Sequence, residues 1–337
     1  MKTTINDLYA DIWLQIFEYF NATELLTSIA HVTEAIDQLL FNKNHYVHLR
    51  QLILDVHMKS IPQKLPFDQV ISLELHEENR IDVIDQCLKL RSLKLVGQSE
   101  WAIHILEKVS STKINLRQLI LVLPGIHSLP EIFALIPSIL SISRLEIYAN
   151  QLEQTMKIAS CFPTQTNVRQ FLLDTCSSIG ISELAYMLSV FPSIYFLNIT
   201  LFTDNKPFPS LPILPNLRCI CLQLFEVRFE WIVHLIRVTP ILTKLKLIGL
   251  IDSEGFIINH RWIHLFQSCS SLVIIKVNAS LQIDTHFFFS ETNRTLLREF
   301  NLELSHIHDD ADIFSCESNQ QNWLKLSGTI VRDYIRV

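Results

Sequence analysis

Residues 116–122 read LRQLILV, and the same arrangement of apolar residues returns as ISRLEIY at 142–148, VRQFLLD at 168–174 and IYFLNIT at 194–200. In each copy one apolar residue is followed, three and five positions later, by two more. The alternation at the end of this pattern has the two-residue period of a β-strand. The stretch therefore predicts a strand that recurs along the chain at a regular interval.

The pattern continues on both sides of this stretch. With the middle apolar residue of each copy taken as its anchor, the anchors fall at 73, 93, 119, 145, 171, 197, 220, 245, 275 and 300. The four successive steps from 93 to 119, 145, 171 and 197 are each 26 residues long. A unit of this length that returns many times indicates a repeat protein, in which neighbouring copies share one apolar core.

Helical patterns fill the intervals between the anchors. The clearest stretches of this kind are residues 101–106, 132–136, 184–188 and 231–236, and prolines at 137, 192 and 240 follow three of them. A strand, a turn and a helix repeated at this period resemble the leucine-rich-repeat family over about residues 70–305. The resemblance implies an α/β solenoid of about ten degenerate repeats, curved like a horseshoe, with a parallel sheet on its concave face.

The N-terminal segment has a different pattern. Leu8, Ile12, Ile16 and Phe20 recur every four residues, which is one face of a helix. Asn21 followed by Glu24 is the spacing of a capping box and predicts a second helix, and apolar residues up to Leu40 continue into a third. A module of three helices before leucine-rich repeats resembles an F-box, although Tyr9 stands where that family usually has proline.

The F-box resemblance implies that this segment docks a Skp-type adaptor and, through it, a cullin of a ubiquitin ligase. The residues that it implies at the adaptor interface are Leu8, Ile12, Trp13, Ile16, Phe17, Phe20 and Leu25. The alternative is that these helices only cap the first repeat, because the end of a solenoid must be covered. The two hypotheses are a substrate-recognition adaptor without chemistry of its own and a free-standing leucine-rich scaffold or inhibitor.

A protein substrate is expected on the concave face, where side chains alternate with the buried anchors. Ile120, Val122, Tyr148 and Leu172 predict an apolar patch there, with Asn198 beside it. Lys244, Lys246 and Lys276 fall on two neighbouring strands and could converge on one anion, which suggests an acidic or phosphorylated peptide. The alternative for the lysines is an ordinary solvated face.

Composition excludes several classes of protein. A net charge of −6 disfavours nucleic acid as the main partner, since such binders are usually basic. Seven scattered cysteines form no disulfide framework, acidic residues interrupt the N-terminal stretch where a signal peptide would be apolar, and no long apolar run predicts a membrane span. We therefore expect a cytoplasmic or nuclear protein without a membrane partner.

The sequence predicts no enzyme, cofactor or metal. The six glycines are too scattered to form a phosphate-binding loop. The run from Ser305 to Asp310 contains His306 and His308 and resembles part of a metallo-hydrolase motif. The favoured interpretation is a solvated polar loop that follows the last strand. The predicted domains are an F-box-like module at 1–45, a solenoid at 46–305 and an irregular C-terminal cap or tail at 306–337.

Overall fold

A computed structural model of the chain describes residues 9–41, 47–54, 66–76, 78–112, 114–126, 129–152, 166–175, 179–202, 210–251, 259–282, 315–319 and 323–331. The chain is an α/β protein and divides into two compact units, Met1–Glu153 and Gln154–Val337. The predicted α/β class and the parallel pairing of the repeat strands are confirmed in both units.

The first unit begins with three helical segments, as the sequence predicts. They are α1 (Ala10–Phe17), α2 (Ala22–Glu24), which continues as a π-helical turn over Leu25–Ile29, and α3 (Glu34–Phe41). The predicted capping box is present: the side chain of Asn21 accepts from the Glu24 backbone N–H at 2.8 Å, and the Glu24 carboxylate accepts from the Asn21 N–H at 3.0 Å. This exchange satisfies two N–H groups that a helix start would otherwise leave unpaired.

Five parallel strands follow in the first unit, each beside the next. They are β1 (Leu52–Leu54), β2 (Ser72–Leu75), β3 (Ser92–Val96), β4 (Gln118–Ile126) and β5 (Arg144–Leu152). The connecting segments include α4 (Ser99–Ser111), α5 (Leu129–Leu135) and the 3₁₀ helices Phe67–Gln69, Glu78–Gln86 and Ile136–Ser138. The helical patterns at 101–106 and 132–136 are thus confirmed.

The second unit repeats this arrangement. Its parallel strands are β6 (Gln170–Thr175), β7 (Ile179–Gly180), β8 (Phe196–Phe202), β9 (Cys219–Val227), β10 (Lys244–Ile251) and β11 (Ile274–Gln282). Its helices are α6 (Ile181–Val190), α7 (Phe229–Arg237) and α8 (Asn259–Ser268).

The C-terminal region differs from the irregular cap that the sequence predicts. Two antiparallel strands, β12 (Ser315–Asn319) and β13 (Trp323–Val331), form a hairpin, and β13 pairs with β11. The tenth predicted anchor, Phe300, lies outside the described residues. The period of the repeats gave no indication of this hairpin, because β13 runs against the repeat direction and neither strand contains a predicted anchor.

The predicted anchors pair with one another in register. Leu93 lies opposite Leu119 and Leu119 opposite Leu145, while in the second unit Ile220 lies opposite Leu245 and Leu245 opposite Ile275. All of these side chains are buried. Because burial of one such side chain stabilises a fold by about 1.5–3 kcal/mol, a shift of register that turned the anchors outward would be strongly unfavourable.

One copy of the repeat was missed by the sequence analysis. Leu49, Leu52 and Leu54 have the spacing of the pattern, and Leu52 pairs with the first predicted anchor, Leu73. This copy forms the short strand β1, which comes before the part of the chain where the anchors are spaced by 26 residues.

None of the helices in the described part of the chain combines the length and the apolar character needed to cross a bilayer.

Candidate functional site

The predicted adaptor-binding residues lie on two different sides of the N-terminal helices. Trp13 is 5% exposed and Phe17 is 4% exposed, their ring centroids lie 6.0 Å apart, and both face the core of the first unit. Leu25, in the π-helical turn, is also buried. Trp13, Phe17 and Leu25 therefore pack the N-terminal helices against the core of the first unit. Leu8 is outside the described residues.

The other side of α1 presents apolar side chains to solvent. Ile12 is 40% exposed, Ile16 is partly exposed one turn later, and Tyr9 and Phe20 extend the apolar surface beyond the two ends of the helix. We call these four residues the α1 stripe. An amphipathic helix normally turns its apolar residues inward, so a stripe of this kind on the outer side is a candidate contact surface.

The sheet of the first unit offers an open face, which we define as the side chains that alternate with the buried anchors. Ile120 and Val122 of β4 and Tyr148 of β5 lie on it, as predicted, and Val122 and Tyr148 are direct neighbours in the strand register. All three are partly exposed. The predicted apolar patch is therefore present on this unit, although Leu172 belongs to the other unit.

A polar cluster around Glu146 borders this patch. One carboxylate oxygen of Glu146 accepts from Gln118 at 2.9 Å and from the Arg144 guanidinium, and the other accepts from the Tyr148 hydroxyl at 2.8 Å. Burial raises the pKa of Glu146, but the hydrogen bonds from Tyr148, Gln118 and Arg144, together with the Arg144 charge, outweigh it and hold the pKa below its ordinary value. Glu146 is therefore a fixed anion that orients Tyr148.

A second polar cluster connects β2 and β3 on the same face. Glu74 lies 3.0 Å from the Lys94 ammonium group and 2.7 Å from His76 Nε2. Glu74 and Lys94 are direct partners in the register, so opposite charges stand across neighbouring strands. In both clusters the carboxylate thus has a basic partner within the first unit: Lys94 for Glu74 and Arg144 for Glu146.

These clusters line a groove of about 1040 Å³ in the first unit. Its walls include Tyr19 and Phe20, which follow α1, Arg50 and Arg91, which precede β1 and β3, and Val122 of β4. A groove that combines aromatic, aliphatic and basic side chains suits a segment of another protein better than a small polar substrate.

The open face of the second unit has a different character. Leu172 and Asn198 are partly exposed neighbours on β6 and β8, while Lys244, Lys246 and Lys276 are all exposed. Lys246 and Lys276 are direct partners in the register, and Lys244 lies two residues before Lys246 on β10. The structure thus brings the three predicted lysines together on one face.

Cysteines stand beside these lysines. Cys219 and Cys221 are free thiols, and Cys221 is the register partner of Lys246. Burial raises the pKa of the Cys221 thiol, and the Lys246 charge offsets this only in part, so the thiol stays protonated at neutral pH. Within the described residues no group of three or more His, Cys, Asp or Glu side chains could hold a metal ion. His306 and His308 lie outside those residues.

The chain was also compared with known proteins. No family model matches it, and no curated protein matches it. Its function must therefore be argued from its own geometry.

Sequence reasoning missed the two polar clusters. Glu74, Lys94 and Glu146 all fall at positions that the repeat assigns to the open face, but the ion pairs depend on which strands are neighbours and on side-chain rotamers. A usable signal did exist: since the anchors 73 and 93 align, Glu74 and Lys94 must stand opposite each other. Opposite charges at the same offset from two anchors are thus a readable sign of a cross-strand pair.

Proposed function

We propose that this chain is a non-catalytic substrate-recognition adaptor of a cullin-type ubiquitin ligase. The N-terminal helices bind a Skp-type adaptor, and the repeats form a leucine-rich-repeat solenoid that holds a target protein on its concave face. Such a subunit carries out no chemistry: it accelerates modification by raising the effective concentration of the target near the enzyme. This role places the chain in the cytoplasm or the nucleus.

The observation that carries the proposal is the α1 stripe. Trp13 and Phe17 already secure α1 to the core, so Ile12 and Ile16 are not needed for that purpose. Exposed apolar side chains at a spacing of one helical turn are what a helix presents to a partner groove. The proposed adaptor contact accordingly lies on Tyr9, Ile12, Ile16 and Phe20, with the buried Trp13, Phe17 and Leu25 supporting the helix from behind.

The in-register anchors support the solenoid part of the proposal. Each repeat places one buried anchor opposite the next, and each leaves alternate side chains open to solvent. A surface made of many short, parallel strands presents a broad binding face. The apolar patch at Ile120 and Val122, bordered by the Glu146 cluster, has the composition of a protein interface with a polar rim.

Calorimetry with a purified Skp-type adaptor tests the proposal directly. The full chain should bind with micromolar affinity or better, and Ile12→Asp should weaken binding at least about ten-fold, because a charge in an apolar interface remains unpaired. Gln15→Asp, an exposed position on the same helix, is the matched control and should bind normally. Circular dichroism of both variants should match the unchanged protein, since neither position is in the core.

A second candidate, the free-standing scaffold, is favoured by the burial of Trp13, Phe17 and Leu25. Residues that pack inward in this way are also what an N-terminal cap requires. If the folded full chain does not bind the adaptor, the scaffold becomes the better description. The target-binding role of the open faces would be the same in both cases.

A further inference from the structure

The lysines on the second unit differ from the charges of the two polar clusters, because no anion of the described residues pairs with them. Lys244, Lys246 and Lys276 are exposed, and none has an ion pair with a described residue. The four strands β8 to β11 contain a single acidic residue, Glu226, which lies at the far end of β9. In a chain with a net charge of −6, this is a local excess of positive charge.

This arrangement costs stability in the free protein. Lys246 and Lys276 are direct register partners, and like charges opposite each other on neighbouring strands destabilise a sheet. The first unit avoids that cost, because Lys94 stands opposite Glu74 there. A cross-strand pair that opposes folding is expected where a partner supplies the missing charge.

The spacing of the lysines matches an extended peptide. Lys244 and Lys246 are two residues apart on one strand, which corresponds to about 6.6 Å, and alternate side chains of an extended peptide have the same separation. Lys276 adds a third lysine on the neighbouring strand, whose backbone lies about 5 Å from that of Lys246. Asn198, Gln223 and Asn278 occupy further open-face positions around the lysines and provide amide groups for a peptide backbone.

We propose that this face binds an acidic, extended segment of a partner protein, with carboxylates at alternate positions against Lys244 and Lys246. The inference deepens the proposed target-binding role and rests on it, but it does not depend on the ubiquitin ligase. Phosphorylated serine in the same segment would offer the same anion chemistry. Nucleic acid, another polyanion, is the competing occupant, and the test below includes it.

The first measurement is fluorescence anisotropy with the full chain and a short labelled peptide of alternating glutamate and serine. A peptide with glutamine in place of glutamate is the control ligand. We expect binding of the acidic peptide that weakens with added salt, because exposed ion pairs are screened, and no binding of the glutamine peptide. A peptide phosphorylated on its serines distinguishes the two anion sources: tighter binding identifies phosphate, and equal binding identifies carboxylate.

The second measurement compares two triple variants. Lys244→Gln/Lys246→Gln/Lys276→Gln should bind the acidic peptide roughly ten-fold more weakly, since each exposed ion pair contributes a factor of about two. Arg117→Gln/Arg169→Gln/Arg237→Gln removes the same charge from exposed positions outside this face and outside the groove of the first unit, and it should retain binding. Lys276→Gln alone should raise the melting temperature of the free protein, because it removes the like-charge pair.

Three results would overturn the proposal. They are equal binding of the acidic and glutamine peptides, equal weakening by the two triple variants, and tighter binding of a single-stranded RNA than of either anionic peptide. Adaptor binding, measured on the same lysine variant, separates this failure from a failure of the proposed function. Ile12→Asp should lose the adaptor and keep the acidic peptide, while the lysine variant should do the reverse.

Discussion

Glu146 shows how one buried charge organises the open face of the first unit. Its carboxylate accepts hydrogen bonds from three side chains of β4 and β5, two of them on its own strand. Because its pKa in the folded state lies below the ordinary value of 4.5, the ionised form binds its neighbours better than the protonated form does. The cluster therefore contributes to stability only while Glu146 is ionised.

The pH dependence of stability follows from that shift. A group whose pKa is lowered by folding stabilises fully above its unfolded-state pKa, and the contribution is lost as the pH falls through the folded-state value. Glu146→Gln should lower the free energy of unfolding at pH 7 by about 1–3 kcal/mol, and this difference should shrink below about pH 4. Urea unfolding between pH 7 and pH 3 measures it, with the exposed Glu131→Gln as control. A difference that stays constant with pH would contradict the account.

Gly249 is the second residue whose environment leads to a prediction. Its φ of +110° is unfavourable for other residues, and a Cβ there would lie 2.3 Å from the backbone oxygen of Leu224 on β9. The clash is with backbone, so it cannot be relieved by a rotamer change. Gly249→Ala should therefore lower the free energy of unfolding by about 2–4 kcal/mol, the combined cost of strain and overpacking.

The control for this substitution is Gly180→Ala, where φ is −69° and alanine is tolerated. Thermal unfolding of both variants gives the comparison. Equal melting temperatures would mean that β9 and β10 can separate without cost. The strain at Gly249 could not be predicted from the sequence. An isolated glycine can occur for many structural reasons, and the bulge beside it depends on the register of two strands.

At the scale of elements, Thr23 joins the N-terminal helices to the sheet. Its hydroxyl oxygen accepts from the backbone N–H of Ile53 on β1 at 2.9 Å, and the N–H of Ala22 donates to the Arg50 carbonyl at 2.6 Å. β1 is the edge strand of the first unit in the described residues, so the Ile53 N–H has few alternatives. The first helices are thus tied to the first strand by hydrogen bonds as well as by packing.

Thr23→Val should break this tie and leave the Ile53 N–H unpaired, at a cost of about 1–3 kcal/mol. Hydrogen exchange at the Ile53 amide should become faster, while amides of the central strand β4 should change only with global stability. Thr27→Val is the matched control, since the Thr27 hydroxyl donates to the carbonyl of Thr23 one turn earlier and also contacts the Ser28 hydroxyl, both within the same helical segment. Unchanged exchange at Ile53 in the Thr23 variant would show that another acceptor replaces the hydroxyl.

The elements that the sequence predicted are those held by a periodic apolar pattern. The strands at 93, 119, 145, 171 and 197 were foreseen because burial of one anchor per repeat imposes a visible spacing. β1 was missed because its three residues stand before the regular steps begin. The exposure of Ile12 and Ile16 could not be predicted from the sequence either. A four-residue spacing shows that residues share a helix face, but not whether that face turns to the core.

At the scale of the whole molecule, a stack of parallel strands has exposed edges that must be covered. In the second unit the strand after β11 is β13, which runs antiparallel and pairs with it from Ile274 to Gln282. Unpaired N–H and C=O groups along a strand favour pairing with other chains. The hairpin of β12 and β13 thus protects this edge, as terminal caps do in repeat proteins.

Deletion of the residues after 314 should therefore expose the edge of β11 and cause self-association. Sedimentation velocity should show higher oligomers of the shortened chain, and urea unfolding should begin at a lower urea concentration, because β11 keeps β10 but loses its other partner strand, β13. A chain that ends at Val331 keeps the hairpin and is the matched control; it should behave like the full chain. If the shortened chain stays monomeric and unfolds at the same urea concentration, β11 does not need the hairpin, and the cap must be sought in another segment.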